Sequence, residues 1–310
     1  MPMKKLTFAP MLAVAALILL ACSAVGSSPA SAASEPAKPL RIASTSPSVT
    51  GILLAMEAPL VASAATTPSR MTDSKGFFSQ WAAVADQRKV EVLYPNLVFD
   101  IESVIGVNPD LLVLVATGAD SVVQHQAELE AQGIATVVVN YSNQSWQQIA
   151  TRLGQAAGLQ AQAAAAIKDF DDYTARAAAT IKAPVGGVSI VGYNIGGSYS
   201  VGRASSPQAR LFTALGIKVA SLPPAMSGEV TRAVDFEFIS RENLSAAITG
   251  ESVFLLGGTD ADVQAFVADP LLANLPAVVQ KKVYALGPTS FRIDYYSGRQ
   301  MIDTVARHLR

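Results

Sequence analysis

Residues 160–182 read QAQAAAAIKDFDDYTARAAATIK, and this stretch separates the chain into two halves of similar pattern. It is rich in alanine and has no internal glycine or proline, which predicts the longest helix of the chain. Pro184, Gly186 and Gly187 follow it and predict its end. On both sides, short apolar runs alternate with helical patterns, as is typical of parallel sheets with helical crossovers. We therefore predict an α/β protein of two doubly wound parallel-sheet lobes joined by one long helix.

The globular part is predicted to begin at residue 40. The first lobe spans 40–158 and contains the run LLVLV at 111–115, a strand of the type that is buried on both faces. The linking helix occupies 159–183 and the second lobe 184–310. In the second lobe, the Gly-rich segment 192–198 is interpreted as a tight turn after a strand, because no Gly-Lys-Ser/Thr follows it.

The N-terminus carries an export signal. Lys4 and Lys5 precede an apolar run at 11–21 that is too short to span a bilayer comfortably. The run ends in LLAC at 19–22, which looks like a bacterial lipobox, so residues 1–22 are interpreted as a lipoprotein signal segment with Cys22 as the lipid attachment site. Cleavage after Ala32 is the alternative. Residues 23–39 are rich in Ser, Ala and Pro and predict a flexible tether.

Composition excludes several classes of protein. The chain has 310 residues, a net charge of −1 and 15% charged residues, so no overall field attracts nucleic acid. One cysteine and two histidines cannot supply a disulfide within the chain or a Cys/His zinc site. We expect an exported monomer, periplasmic or at the cell surface and anchored to the membrane by lipid, that binds no nucleic acid.

Several motifs resemble one known family. They are ASTS at 43–46, TGILLA at 50–55, NPDL at 108–111, NY at 140–141, PLLANLPAV at 270–278, VYALG at 283–287 and FRIDYYS at 291–297. Together they resemble the periplasmic binding proteins for siderophores, haem and vitamin B12, the helical-backbone substrate-binding family of ABC importers. Within that family the likeness is to binders of ferric, enterobactin-like siderophores. The resemblance covers essentially all of 40–310.

The resemblance implies a function and two ligand-binding arginines. Such a protein captures a ferric catecholate siderophore outside the cytoplasmic membrane and delivers it to a permease that is driven by an ATPase. The siderophore is the ligand, and no cofactor and no enzymatic activity are expected. Arg70 and Arg292 match basic residues that face the siderophore, one from each lobe. Guanidinium suits this ligand because it is planar, weakly hydrated and able to stack on a ring while donating hydrogen bonds.

Further ligand contacts are predicted with less support from the motifs. Tyr94, in the loop LYP at 93–95, and Tyr199 offer rings for stacking on catechols. Tyr199 stands in a second-lobe segment where the related binders have a tryptophan, a departure that leaves the exact siderophore open. Arg203 and Arg232, in second-lobe loops, are further candidates for ligand contacts.

Glu102 and Glu242 match the exposed acids with which this family docks onto its permease, one from each lobe.

Other functions stay open at this point. A haem or cobalamin binder of the same fold would need a cleft tyrosine as ligand in the case of haem. An exported α/β hydrolase would need a nucleophile beside a histidine. A lipoprotein that binds a free metal ion or another protein is the remaining alternative.

Overall fold

The computed structural model describes residues 39–226 and 235–310. The predicted signal segment with Cys22, nearly all of the tether at 23–39, and Arg232 lie outside these residues. None of the helices in the described part combines the length and the apolar character that crossing a membrane requires.

The first lobe is a five-stranded parallel sheet with helical crossovers. Its elements in chain order are β1 (Ile42–Ser44), α1 (Pro47–Ala55), β2 (Leu60–Ser63), α2 (Ala82–Gln87), β3 (Glu91–Val92), α3 (Ile101–Val107), β4 (Leu111–Val115), α4 (Gln126–Ala131), β5 (Thr136–Val139) and α5 (Trp146–Ala157). The strand order is β3-β2-β1-β4-β5, and every neighbouring pair is parallel. All five residues of β4 are buried, as its unbroken apolar sequence predicts.

A single helix, α6 (Gln160–Ala178), connects the two lobes. Its 19 residues correspond to about 28 Å of helix. It ends four residues earlier than the sequence pattern predicts, with Ala179 as its C-cap.

The second lobe contains the other sheet. Its elements are β6 (Val188–Ile195), β7 (Ser198–Gly202), α7 (Pro207–Ala214), β8 (Phe236–Ile239), α8 (Leu244–Ala247), β9 (Ser252–Leu255), α9 (Asp260–Ala268), α10 (Pro276–Val279), β10 (Val283–Ala285) and α11 (Tyr295–His308). The order is β10-β9-β6-β7-β8. The β10-β9-β6 part is parallel, whereas β7 and β8 are antiparallel additions, so this sheet is mixed.

The antiparallel pair has a local cause. Gly196 and Gly197 both have positive φ and form a two-residue hairpin loop between β6 and β7. The tight turn predicted for this segment is therefore present, and it reverses the chain where a crossover was expected. The predicted fold class, two α/β lobes joined by one long helix, is confirmed; the exact lobe limits remain predictions.

One hydrophobic core spans both lobes. It joins Ile52 of the first lobe to Phe212 and Phe254 of the second, through residues of α5, α6 and α11. Gly298 of α11 lets Phe170 of α6 approach so closely that a Cβ there would lie 2.7 Å from its ring. Because interiors of this kind are close-packed, a large rotation of one lobe against the other would open this core.

Candidate functional site

Three loops of the first lobe meet at the carboxyl end of its sheet. Ser46 follows β1, Asp120 follows β4 and Tyr141 follows β5. The Ser46 hydroxyl donates to the buried Asp120 carboxylate, and the Tyr141 hydroxyl donates to Asp120 Oδ1 at 2.6 Å. Burial, followed by this hydrogen bond, raises the pKa of Tyr141 well above its usual value. The phenol is thus held protonated and its ring is fixed in place.

Arg292 of the second lobe lies against this ring. Its guanidinium carbon is 4.3 Å from the centroid of the Tyr141 ring, a cation–π contact that crosses from one lobe to the other. Hydrogen bonds from two side chains fix the backbone of the loop that carries Arg292. Gln208 donates to the carbonyls of Ser290 and Phe291 at 2.9 and 3.2 Å, and the Ser297 hydroxyl donates to the Arg292 carbonyl at 2.6 Å.

A cavity of about 740 Å³ opens beside this contact and is lined by both lobes and by α6. Its charged lining residues include Arg292 and Arg210 of the second lobe. Two large rings of the same lining, Phe238 and Phe291, are 38% and 45% exposed. Exposed aromatic rings beside guanidinium groups form a surface suited to a flat anion.

Asp235 also lines the cavity, in the neighbourhood of several cations. Burial raises its pKa, against the opposing effect of Arg210, Arg292 and Arg203. When ionised, the Asp235 carboxylate offsets part of the positive charge that Arg210 and Arg292 bring to the lining.

Arg70 makes another contact between the lobes. Its Nη1 lies 3.5 Å from Asp262 Oδ2 of α9, and its side chain is 56% exposed. The Thr259 amide lowers the pKa of the Asp262 carboxyl, and Arg70 adds to this effect. Arg70 does not line the cavity that contains Arg292. Arg70 comes in the segment after β2, whereas Tyr141, the partner of Arg292, comes after β5, and β1 and β4 lie between these two strands in the sheet.

The structure contradicts the stacking role predicted for Tyr94, and it places Tyr199 outside the cavity lining. Tyr94 is 2% exposed, and its hydroxyl donates to the Thr45 carbonyl at 3.2 Å, so its ring belongs to the first-lobe core and offers no surface to a ligand. Tyr199 lies in strand β7 rather than in a loop. Its ring packs edge-on to Tyr193 at 5.4 Å and does not line the cavity. Because Tyr199 is only half-buried, its role as a ligand contact stays a prediction.

The remaining predicted residues are dispersed. Arg203 forms an ion pair with the buried Glu237 and does not line the cavity. Its charge is therefore paired within the second lobe. Glu102 lies in the first turn of α3, and Glu242 lies in the turn just before α8; both are exposed. In the described part of the chain, no group of three His, Cys, Asp or Glu side chains is placed to hold a metal ion.

Sequence inspection missed Tyr141, Arg210, Phe238 and Phe291. Tyr141 could have been found, since it belongs to the NY motif at 140–141 and follows the apolar run TVVV at 136–139, and ligands bind at the carboxyl ends of strands in open α/β sheets. Phe291 is adjacent to Arg292 in the FRIDYYS motif. The other two lie on α7 and β8, and no sequence signal singles them out.

Comparison with known proteins places these features in a family. The family model described as periplasmic binding protein matches residues 42–289. The chain is 40% identical over 273 residues to the ferric enterobactin-binding periplasmic protein FepB of Escherichia coli O6:H1, which covers 86% of this chain and 84% of FepB. The crystal structure of holo-ViuP has a TM-score of 0.78 and 40% identity, covering 88% of this chain and 90% of ViuP.

A more distant structure shares the fold alone. It is the triscatecholate siderophore binding protein FeuA of Bacillus subtilis, solved with ferri-bacillibactin, with a TM-score of 0.62 and 16% identity over 87% of this chain and 92% of FeuA. The family match and the FepB match together cover most of the described residues. The chain therefore belongs to the periplasmic binding protein family, whose members are exported solute-binding proteins and not enzymes.

Proposed function

We propose that the protein captures a ferric catecholate siderophore between its lobes and delivers it to an ABC importer. The observation that carries this proposal is the contact of Arg292 with Tyr141 at the edge of an interlobe cavity, in a chain 40% identical to an enterobactin-binding protein. The exported α/β hydrolase has no support from these relatives.

The chemistry of the ligand fits the lining. A ferric tris-catecholate carries three negative charges on flat rings, and its catechols already fill the coordination sphere of the iron. The protein therefore needs cations and rings rather than metal ligands. Arg292 and Arg210 supply guanidinium groups, while Phe238 and Phe291 supply exposed rings. The cavity volume of about 740 Å³ falls in the usual range for small-molecule sites.

Arg70 is proposed to join the ligand from the other side of the cleft. Its charge is paired with Asp262 across the lobes. An exposed pair of this kind is weak, so a multiply charged anion can replace the carboxylate on Arg70. Because the lobes share one core, we expect the accompanying closure to be small.

Delivery and location follow the family pattern. We propose that Glu102 and Glu242, one on each lobe, dock onto basic pockets of the permease, and that the ATPase then drives release. We further propose that the mature protein is a monomer held at the membrane by lipid on Cys22. These proposals rest on the matched positions and on the LLAC sequence at 19–22.

Intrinsic fluorescence tests the ligand assignment. Of the two tryptophans, Trp146 lines the cavity, whereas Trp81 is fully buried. Ferric catecholates should quench the emission saturably, and a Trp146→Phe variant should lose most of that response while still binding. Ferric hydroxamates and cobalamin serve as the comparison ligands, and haem is followed by its Soret band. Tight binding of haem or cobalamin, with none of a ferric catecholate, would overturn the proposal.

A further inference from the structure

A buried carboxylate lies two residues after Arg292. Asp294 is 1% exposed and caps the N-terminus of α11, accepting hydrogen bonds from the amides of Tyr296 and Ser297 at 2.9 and 2.8 Å. Helix capping accounts for these two bonds. It does not account for the contacts that the same carboxylate makes with the other lobe.

The first lobe is shaped around this carboxylate. Gln80, which is 8% exposed, donates from Nε2 to Asp294 Oδ2 at 3.3 Å. Gly51 of α1 faces the same oxygen, and a Cβ at this position would lie 2.4 Å from it. The same Cβ would lie 2.7 Å from the Trp81 ring, so a side chain at position 51 would displace the carboxylate, the ring or both. Both contacts reach from the first lobe to the loop of the second lobe that carries Arg292.

Hydrogen bonds of Ser297 connect Asp294 to the backbone of Arg292. The Asp294 amide donates to the Ser297 hydroxyl at 2.9 Å, and that hydroxyl donates to the Arg292 carbonyl at 2.6 Å. Ser297 is fully buried. A continuous set of buried hydrogen bonds thus runs from Gln80 to the backbone of Arg292, whose guanidinium returns to the first lobe at Tyr141.

We infer that Gln80 and Gly51 are positioning residues for ligand binding: they fix the Arg292 loop relative to the first lobe. The inference rests on the proposed function of Arg292. The loop is clamped to the first lobe at both its backbone and its guanidinium, so the cation is placed before the ligand arrives. Preorganised charge of this kind lowers the ordering cost of binding.

Gln80→Met tests the inference, because it keeps the length of the side chain and removes the donor. We expect faster amide hydrogen exchange in residues 288–298 and an increase in Kd of about tenfold for a ferric catecholate. In an Arg292→Met background, Gln80→Met should cause no further loss of affinity, because the residue it positions is gone. Val104→Ala is the matched control: Val104 is fully buried in the first lobe, in a cluster that does not contain Gln80.

The control should lower Tm and leave both the loop exchange and the affinity unchanged. If Gln80→Met lowers Tm but changes neither readout, Gln80 has only a structural role and the inference is overturned. If Gln80→Met does not fold, Gln80→Leu removes the same donor with another apolar side chain and is judged by the same two readouts. A wild-type protein that binds no ferric catecholate would remove the proposed function, and the exchange data would still decide whether Gln80 holds the loop.

Discussion

Replacing Arg292 by methionine should raise the Kd for a ferric catecholate by about 10- to 150-fold. The estimate begins with hydrogen bonds from a charged donor in a half-buried position, which contribute about 1.5–3 kcal/mol. Each 1.4 kcal/mol corresponds to a factor of about ten in Kd. The contact with Tyr141, worth about 0.5–1 kcal/mol at such a site, exists before binding and is not counted as a gain. Arg292→Lys keeps the charge but not the planar fork, so it should show a smaller loss.

The assay is fluorescence titration with circular dichroism to verify the fold. Arg299→Met is a matched control, since the Arg299 guanidinium carbon also stacks on a tyrosine, 3.9 Å from the Tyr173 ring centroid, but does not line the cavity. The control should bind as the wild type does. A Kd for Arg292→Met within a factor of about three of the wild-type value, with the fold intact, would refute the assignment of Arg292.

Three further predictions concern other charged groups. Asp262→Asn should free Arg70 from its ion pair and tighten ferric catecholate binding by up to about fivefold, because an exposed ion pair contributes at most about 1 kcal/mol. Weaker binding would show that Asp262 itself helps to hold the ligand. Burial raises the pKa of Asp294, so the stability from this group is present below the unfolded pKa and is lost as pH rises through the folded value. Asp294→Asn should therefore gain stability relative to the wild type with rising pH in urea titrations above about pH 4, and parallel pH profiles would contradict this. Glu102→Ala with Glu242→Ala should leave siderophore affinity unchanged and reduce stimulation of the transporter ATPase; full stimulation by the double variant would remove the docking role.

The two-lobed architecture was predictable because its signals are local. An alanine-rich stretch without glycine or proline can only be a long helix in this context, and α6 confirms it. The run LLVLV likewise becomes the fully buried strand β4. The short apolar segment at 218–220 forms only a single bridge, between Val188 and Val219. Whether so short a segment pairs as a strand depends on its tertiary neighbours more than on its own sequence.

The site was predictable only in part, because its contacts join distant parts of the chain. Arg292 was identified through the motif around it, but its partner Tyr141 lies on the other lobe, and no local pattern connects the two. Tyr94 was placed in a loop by its neighbour Pro95, and the loop folds back into the core. The spacing of apolar residues predicts the helices and strands. Whether a loop side chain faces the core or the solvent depends on tertiary packing, which no local sequence pattern indicates.

Crystals of the complex with a ferric catecholate would locate the bound iron by its anomalous signal. We expect one iron peak in the interlobe cavity, with the Arg292 guanidinium against the catechol oxygens or rings and no protein atom bonded to the metal. An iron peak outside this cavity, or a tyrosine or carboxylate oxygen in the coordination sphere of the iron, would refute capture of the siderophore by Arg292.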